Sequence, residues 1–166
     1  MAPSIRVVRQ GLVVGIIAFG AVALFYAVLD LLAARGALYT VNLLGKSVWR
    51  GVRDPGILVL PIQLDYVAIA AYSGLHLAAS LLIGLIVTRF AAQAERQPAQ
   101  APLMTALIVG GFVVTVIVVG LLTNSIRPLL PWWSIMAANS FAVLAAAWYL
   151  ASKNPGIWQR TFAAGR

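Results

Sequence analysis

Cysteine is absent from this sequence, and histidine occurs once, at His76. The first absence excludes disulfides, thiolate metal sites, iron–sulfur clusters and cysteine nucleophiles. A lone histidine cannot furnish a multi-histidine metal site or both axial ligands of a haem within one chain. Acidic residues are nearly as scarce: Asp30, Asp54, Asp65 and Glu95 are the whole set. No cofactor and no metal are expected, and paired carboxylates for acid–base catalysis have no nucleophile beside them. A P-loop, a GxSxG elbow, an HExxH pair and a dinucleotide fingerprint are also missing from the sequence. The chain is therefore not expected to be an enzyme.

The deficit that decides the class is charge. Of the 166 residues, 10% are charged and 62% are hydrophobic, against about 25% and 45–50% in an ordinary soluble domain. So few charges cannot cover the surface of a soluble fold, whereas lipid can replace them. The mean hydropathy of +0.95 agrees. The formal net charge of +8 is read as Lys and Arg at headgroup level. Nucleic acid is not an expected partner, because no basic run is long enough to track phosphates.

A bilayer core needs about 20 apolar residues per helical span. Four segments meet that length, at about 11–34, 65–88, 102–123 and 131–152, each bounded by charge or proline. The first has a basic start, Arg6 and Arg9, like a signal peptide. Its apolar stretch exceeds the roughly 7–15 residues of such a leader, so it reads as a retained span. The expected fold is all-α: a single polytopic membrane domain, a four-transmembrane-helix bundle with a short amphipathic helix in the first loop.

With four spans, the termini and the second loop share one side. That side carries Arg6, Arg9, Arg89, Arg96, Lys153, Arg160 and Arg166, and the other carries Arg35, Lys46, Arg50, Arg53 and Arg127. The excess of basic residues predicts both termini in the cytoplasm and the chain in the cell (inner) membrane. Residues 90–102 read as a polar connector. The largest loop, about 36–64, opens with Thr40 as a helix cap. Val41, Leu44 and Val48 then share one face of a helix over 41–52, expected to lie on the membrane surface. Asp54, Pro55 and Gly56 make a turn, and Ile57 to Pro61 is expected to dip into the interface.

Close helix approach in lipid relies on small residues. Gly11 and Gly15 supply them in span one, Ala70, Gly74 and Ala78 in span two. Ala106 and Gly110 do so in span three, and Ala138, Ala142 and Ala146 in span four. Trp132, Trp133, Trp148, Tyr149, Trp49 and Trp158 read as an interfacial aromatic belt.

Two polar groupings stand out. Asp65, Tyr72 and His76 fall within roughly 40° of one another on span two, flanked by Ser73 and Ser80. His76 lies about 16 Å beyond Asp65 along the helix, near the midplane. Tyr26, Thr115 and Asn139 fall near the same depth. Tyr26, His76, Thr115 and Asn139 thus form an expected buried polar layer. It serves either as a ligand or proton site or as a set of cross-helix hydrogen bonds, worth about 0.6 kcal/mol each in membranes. The second grouping is a cluster on the side opposite the termini: Asp30, Asp65, Arg50, Arg53 and Arg127. Ion pairs tying the loop to the helix ends are its simple reading, and a cation vestibule the sharper one.

Small multidrug exporters resemble this chain in having four short spans, but they depend on a glutamate within the first, and Glu95 lies in a loop. The expected role is an accessory membrane subunit that packs against, stabilises or regulates a larger complex. Its partners would be membrane lipids and either other integral subunits or further copies of itself. The alternative is a small oligomeric transporter or channel using Asp30, Asp65 and His76.

Overall fold

The computed structural model describes residues 3–51 and 62–153. Five α-helices follow in order: α1 (Pro3–Leu32), α2 (Tyr39–Trp49), α3 (Tyr66–Arg96), α4 (Ala101–Leu122) and α5 (Trp132–Lys153). Among the described residues there is no strand. All but α2 are long and apolar enough to cross a membrane. The chain is a multi-pass membrane protein built as a helical bundle. The helices close a ring in which α1 packs on α3 and α5, and α4 touches α3 and α5.

The helix limits depart from the hydropathy reading where polar residues are good helix formers. α3 continues through Ala91, Ala92, Gln93, Ala94 and Glu95 to Arg96, so the connector shrinks from 90–102 to a single 3-10 turn, Pro98–Gln100. Alanine, glutamine and glutamate favour helix, and the residue before Pro98 cannot stay helical without strain. At 31 residues, α3 is about 46 Å long, so its end projects beyond a core of about 30 Å. α1 stops at Leu32, short of residue 34, in a Schellman turn. Arg35 N–H donates to Asp30 O, and Ala34 N–H donates to Leu31 O. Ala34 occupies the left-handed position at φ 55° that glycine usually takes.

A backbone-to-backbone contact joins α1 to α3 in the half nearest the termini. A β-carbon at Gly84 would lie 2.5 Å from both Gly11 O and Gly15 N, and one at Gly15 would lie 2.6 Å from the Leu81 Cα. The backbones touch, which only glycine permits. On α3 the buried row is Ser80, Gly84 and Thr88. The row Ala70, Gly74 and Ala78, expected to pack, is exposed instead. Small residues recur on both faces of this helix, and the glycine pair of α1 selected the one bearing Gly84. Likewise Ala106 and Gly110 of α4 face outward, whereas Ala138 and Ala142 of α5 are buried as expected. Gly120 of α4 is covered by the ring of Trp132. Trp132 is therefore a spacer between α4 and α5, with the Arg127 guanidinium 5.6 Å from its ring centre.

Large buried side chains collect at the opposite end. Tyr39, Leu43 and Leu44 of α2 pack with Ile126, Leu130 and Ile135, making a plug over the helix ends on the loop side.

Candidate functional site

α2 is set into the bundle and does not float on it. Tyr39, Thr40, Asn42, Leu43, Leu44, Gly45 and Ser47 are buried, while Val48 and Trp49 are exposed. The face expected to bury, Val41–Leu44–Val48, is rotated because polar groups on α2 have partners inside. Asn42 is the main one. Its Nδ2 donates to Gln63 O at 3.1 Å, and its Oδ1 accepts from Asp65 N–H at 2.9 Å. Lys46 Nζ donates to the same Gln63 carbonyl. Gly45 lets the two helices meet, since a β-carbon there would lie 2.5 Å from Ala68 O.

Asp30 is 2% exposed and serves as a cap delivered from another helix. Its carboxylate accepts from Thr40 N–H at 2.7 Å and from Thr40 Oγ1 at 2.8 Å. The first turn of a helix has free N–H groups and the positive end of its dipole, and a carboxylate satisfies both. Thr40 was expected to be the cap itself. Instead α2 begins two residues earlier than expected, at Tyr39, behind Leu38, which makes no side-chain cap bond. Thr40 then sits inside the first turn and donates both its groups to Asp30.

Asp65 caps α3, accepting from Ala68 N–H at 3.0 Å, and pairs with Arg50 Nε at 2.9 Å. The Arg50 guanidinium and the Ala68 N–H hold its carboxyl below the usual carboxylate range, and the Arg50 guanidinium is raised in turn. The Asp30 carboxylate is engaged by Thr40, and the Arg35 guanidinium lies 5.1 Å from the Tyr39 ring centre. Arg127 is turned to Trp132. The five-residue cluster is thus split into an Asp30 cap, an Asp65–Arg50 pair and an Arg127–Trp132 contact. Arg53, the Asp54–Gly56 turn and the dip to Pro61 lie outside the described residues, as does Trp158.

The polar layer is also divided. Thr115 Oγ1 donates to Gly111 O, and Asn139 Nδ2 donates to Ile135 O, each within its own helix. Helical threonine and asparagine satisfy themselves this way when no partner stands opposite. Tyr26 and His76 do come together, on the walls of one cavity of about 260 Å³. The cavity lies between α1, α2 and α3. α1 and α3 touch at their glycines near the termini and diverge toward the loop side, where α2 wedges between them and roofs the gap. Phe19 and His76 meet edge-on at its deep end, with ring centres 5.3 Å apart. Tyr72 stands 6.0 Å from His76, and Tyr26 lies beside Ser134 of α5.

Phe19 and Ser134 escaped the sequence reading. Phe19 was legible: Phe19, Val22, Tyr26 and Asp30 recur at helical spacing on α1. Nothing local marked Ser134 or Asn42, whose roles depend on tertiary neighbours. Against known proteins, no protein family, curated sequence or solved structure matches this chain.

Proposed function

We propose that this protein is a small integral membrane subunit that packs against, stabilises or regulates a larger membrane assembly. The observation that carries the reading is the outward face of α4. Of that helix, only Val116 and Gly120 are buried, and β-carbons built at Gly110 and Gly111 would meet nothing within 4 Å. Glycine in mid-span costs helix stability, and the same residue type is used for backbone contact at Gly11, Gly15 and Gly84. Glycines that admit a close neighbour and have none among the described residues fit a helix from another subunit or a second copy. The excess of Arg and Lys on the terminal side supports an inner-membrane location with both termini cytoplasmic.

The rival reading, a small transporter, would need Asp30, Asp65 and His76 along one path. It draws less support, because both carboxylates already serve as helix caps.

The test is extraction from native membranes in a mild detergent, comparing wild type with Gly110→Leu and Gly111→Leu. A partner span, or a second copy, should co-purify with wild type and fall at least tenfold in the variants, with unchanged thermal stability. A lone monomer in both detergent and in-membrane crosslinking would end the proposal.

A further inference from the structure

We propose that the cavity between α1, α2 and α3 binds a small neutral ring compound bearing a carbonyl or hydroxyl, taken up sideways from the bilayer. The volume, about 260 Å³, approaches the roughly 300 Å³ at which small-molecule sites begin, and far exceeds the space one water needs. No α5 residue lines it, and Ala23 at its edge is exposed. Ala23 lies on the flank of the bundle that lipid would touch, and Ala37 and Leu38, also exposed, open the cavity toward the loop side.

Four features fix the ligand's chemistry. First, among the described residues the lining contains no Lys, Arg, Asp or Glu. An ion at that depth would lack a counter-charge, which the bilayer interior penalises heavily. Second, the walls are ringed: Phe19, Tyr26, Tyr72 and His76 all contribute, and aromatic faces and edges favour a flat, polarisable guest. Third, among the described residues the Tyr72 hydroxyl, the Ser73 hydroxyl and the His76 ring make no hydrogen bond. All three line the cavity. These groups face the cavity with their hydrogen-bonding capacity free, and a carbonyl or hydroxyl guest supplies the partner they lack. Fourth, His76 lies at the deep end, about 16 Å along the helix from Asp65. A phospholipid keeps its polar head at the surface and would set only its acyl tail against His76, leaving these groups unpaired. The fit is to a compound whose polar atom travels with its ring into the bilayer interior.

This site stands apart from the outward face of α4, so neither its success nor its failure bears on the subunit reading. Benzophenone, a neutral two-ring ketone that inserts into nearby C–H bonds under ultraviolet light, is the probe. Purified protein in phosphatidylcholine vesicles is irradiated, digested and mapped by mass spectrometry. Adducts should concentrate on residues 19–27 and 69–76. Filling the cavity by Ala27→Phe should lower them tenfold or more. Ala23→Leu at the rim should act in the same direction and covers the case in which the larger residue unfolds the chain. Removing two of the donors while keeping aromatic rings, Tyr72→Phe with His76→Phe, should also reduce labelling. Benzhydrol should compete, and diphenylmethane, which lacks the oxygen, should compete at least tenfold less well. Adducts spread evenly over α4 and the cavity helices would overturn the proposal. So would labelling indifferent to Ala27→Phe, or competition by palmitic acid equal to that by benzhydrol, which would mark a slot for acyl chains.

Discussion

The two halves of this bundle are held by different physics. Near the termini, α1 and α3 meet through Gly11, Gly15 and Gly84 with backbone against backbone, and the Leu85 side chain lies alongside Gly11. On the loop side the same helices are apart. There the binding comes from polar bonds, from Asp30 to Thr40 and from Asn42 to the residues ahead of α3, and from an apolar plug around Leu43, Ile126 and Ile135. In lipid no hydrophobic force draws spans together, so close packing and hydrogen bonds must do so. The plug needs an additional cause, since burial against protein gains little over burial in lipid. That cause is the exposure of the loop-side end to headgroups and water, where removing apolar area from solvent stabilises by about 25 cal/mol per Å². One half is a contact suited to hydrocarbon and the other a small soluble-like core, and the cavity lies where they join.

The sharpest way to break this contrast is at Gly84. Gly84→Leu forces a side chain into the α1 backbone, which cannot yield as a flexible side chain would. It should cost about 3 kcal/mol or more and lower the thermal midpoint in detergent. Gly110→Leu, with open space at the same kind of residue, should leave the midpoint within a degree or two. Equal losses in both would mean that α1 and α3 do not cross at these glycines.

On the loop side the largest effect should come from Asp30. Asp30→Ala leaves the buried Thr40 hydroxyl and N–H without acceptors, costing about 3 kcal/mol. Asp30→Asn keeps one acceptor and should lose roughly half of that. Hydrogen exchange should locate the damage: protection of α2 amides drops, while that around Gly84 stays. A loss shared by both regions would mean that the halves unfold as one unit.

The contrast also accounts for what was legible. The four spans could be read because each apolar run ends at charge or proline, and that pattern is local. The pairing face of α3 could not, because Ala70–Gly74–Ala78 and Ser80–Gly84–Thr88 satisfy the same small-residue rule. Only the position of α1 chooses between them. Burial of α2 was underestimated because Asn42 counts as a surface residue until Gln63 and Asp65 stand opposite. Asp65 as a cap was available from its place just before an apolar helical run. The Asp30 cap on α2 was not, since its partner belongs to a different helix.

Two smaller changes probe each half for imperfections. Thr88 is 2% exposed and its hydroxyl has no hydrogen-bond partner among the described residues. Thr88→Val keeps the shape and removes the orphan group, so it should stabilise the glycine crossing by about 1 kcal/mol. At the loop side, Ala34 holds φ 55°. Ala34→Gly should relieve the left-handed strain, net of the entropy glycine adds to the unfolded chain, for a gain of up to about 1 kcal/mol. A rise in thermal midpoint for each is the expected result, and a fall in either would show that the local geometry is not as described.

The smallest effect should appear only in acid. Asp65 has its carboxyl held below the usual range by Arg50 and by the Ala68 N–H, so the folded protein keeps that group ionised more readily than the unfolded chain does. Its contribution to stability is complete above the ordinary carboxylate pKa, near 3.8, and disappears as pH falls from there through the lowered value. The pair is solvent-exposed on the Arg50 side, where its strength is screened by salt. In thermal midpoints measured from pH 6 down to pH 2, the contribution of Asp65 should therefore be constant above about pH 4 and decline below it. Asp65→Asn should remove part of that decline, and added salt should shrink the difference between the two proteins. A wild-type curve that falls above pH 5 would point to a different carboxylate. If Asp65→Asn matched wild type throughout, the tie between α2 and α3 would rest on Asn42 and the Gly45 contact alone.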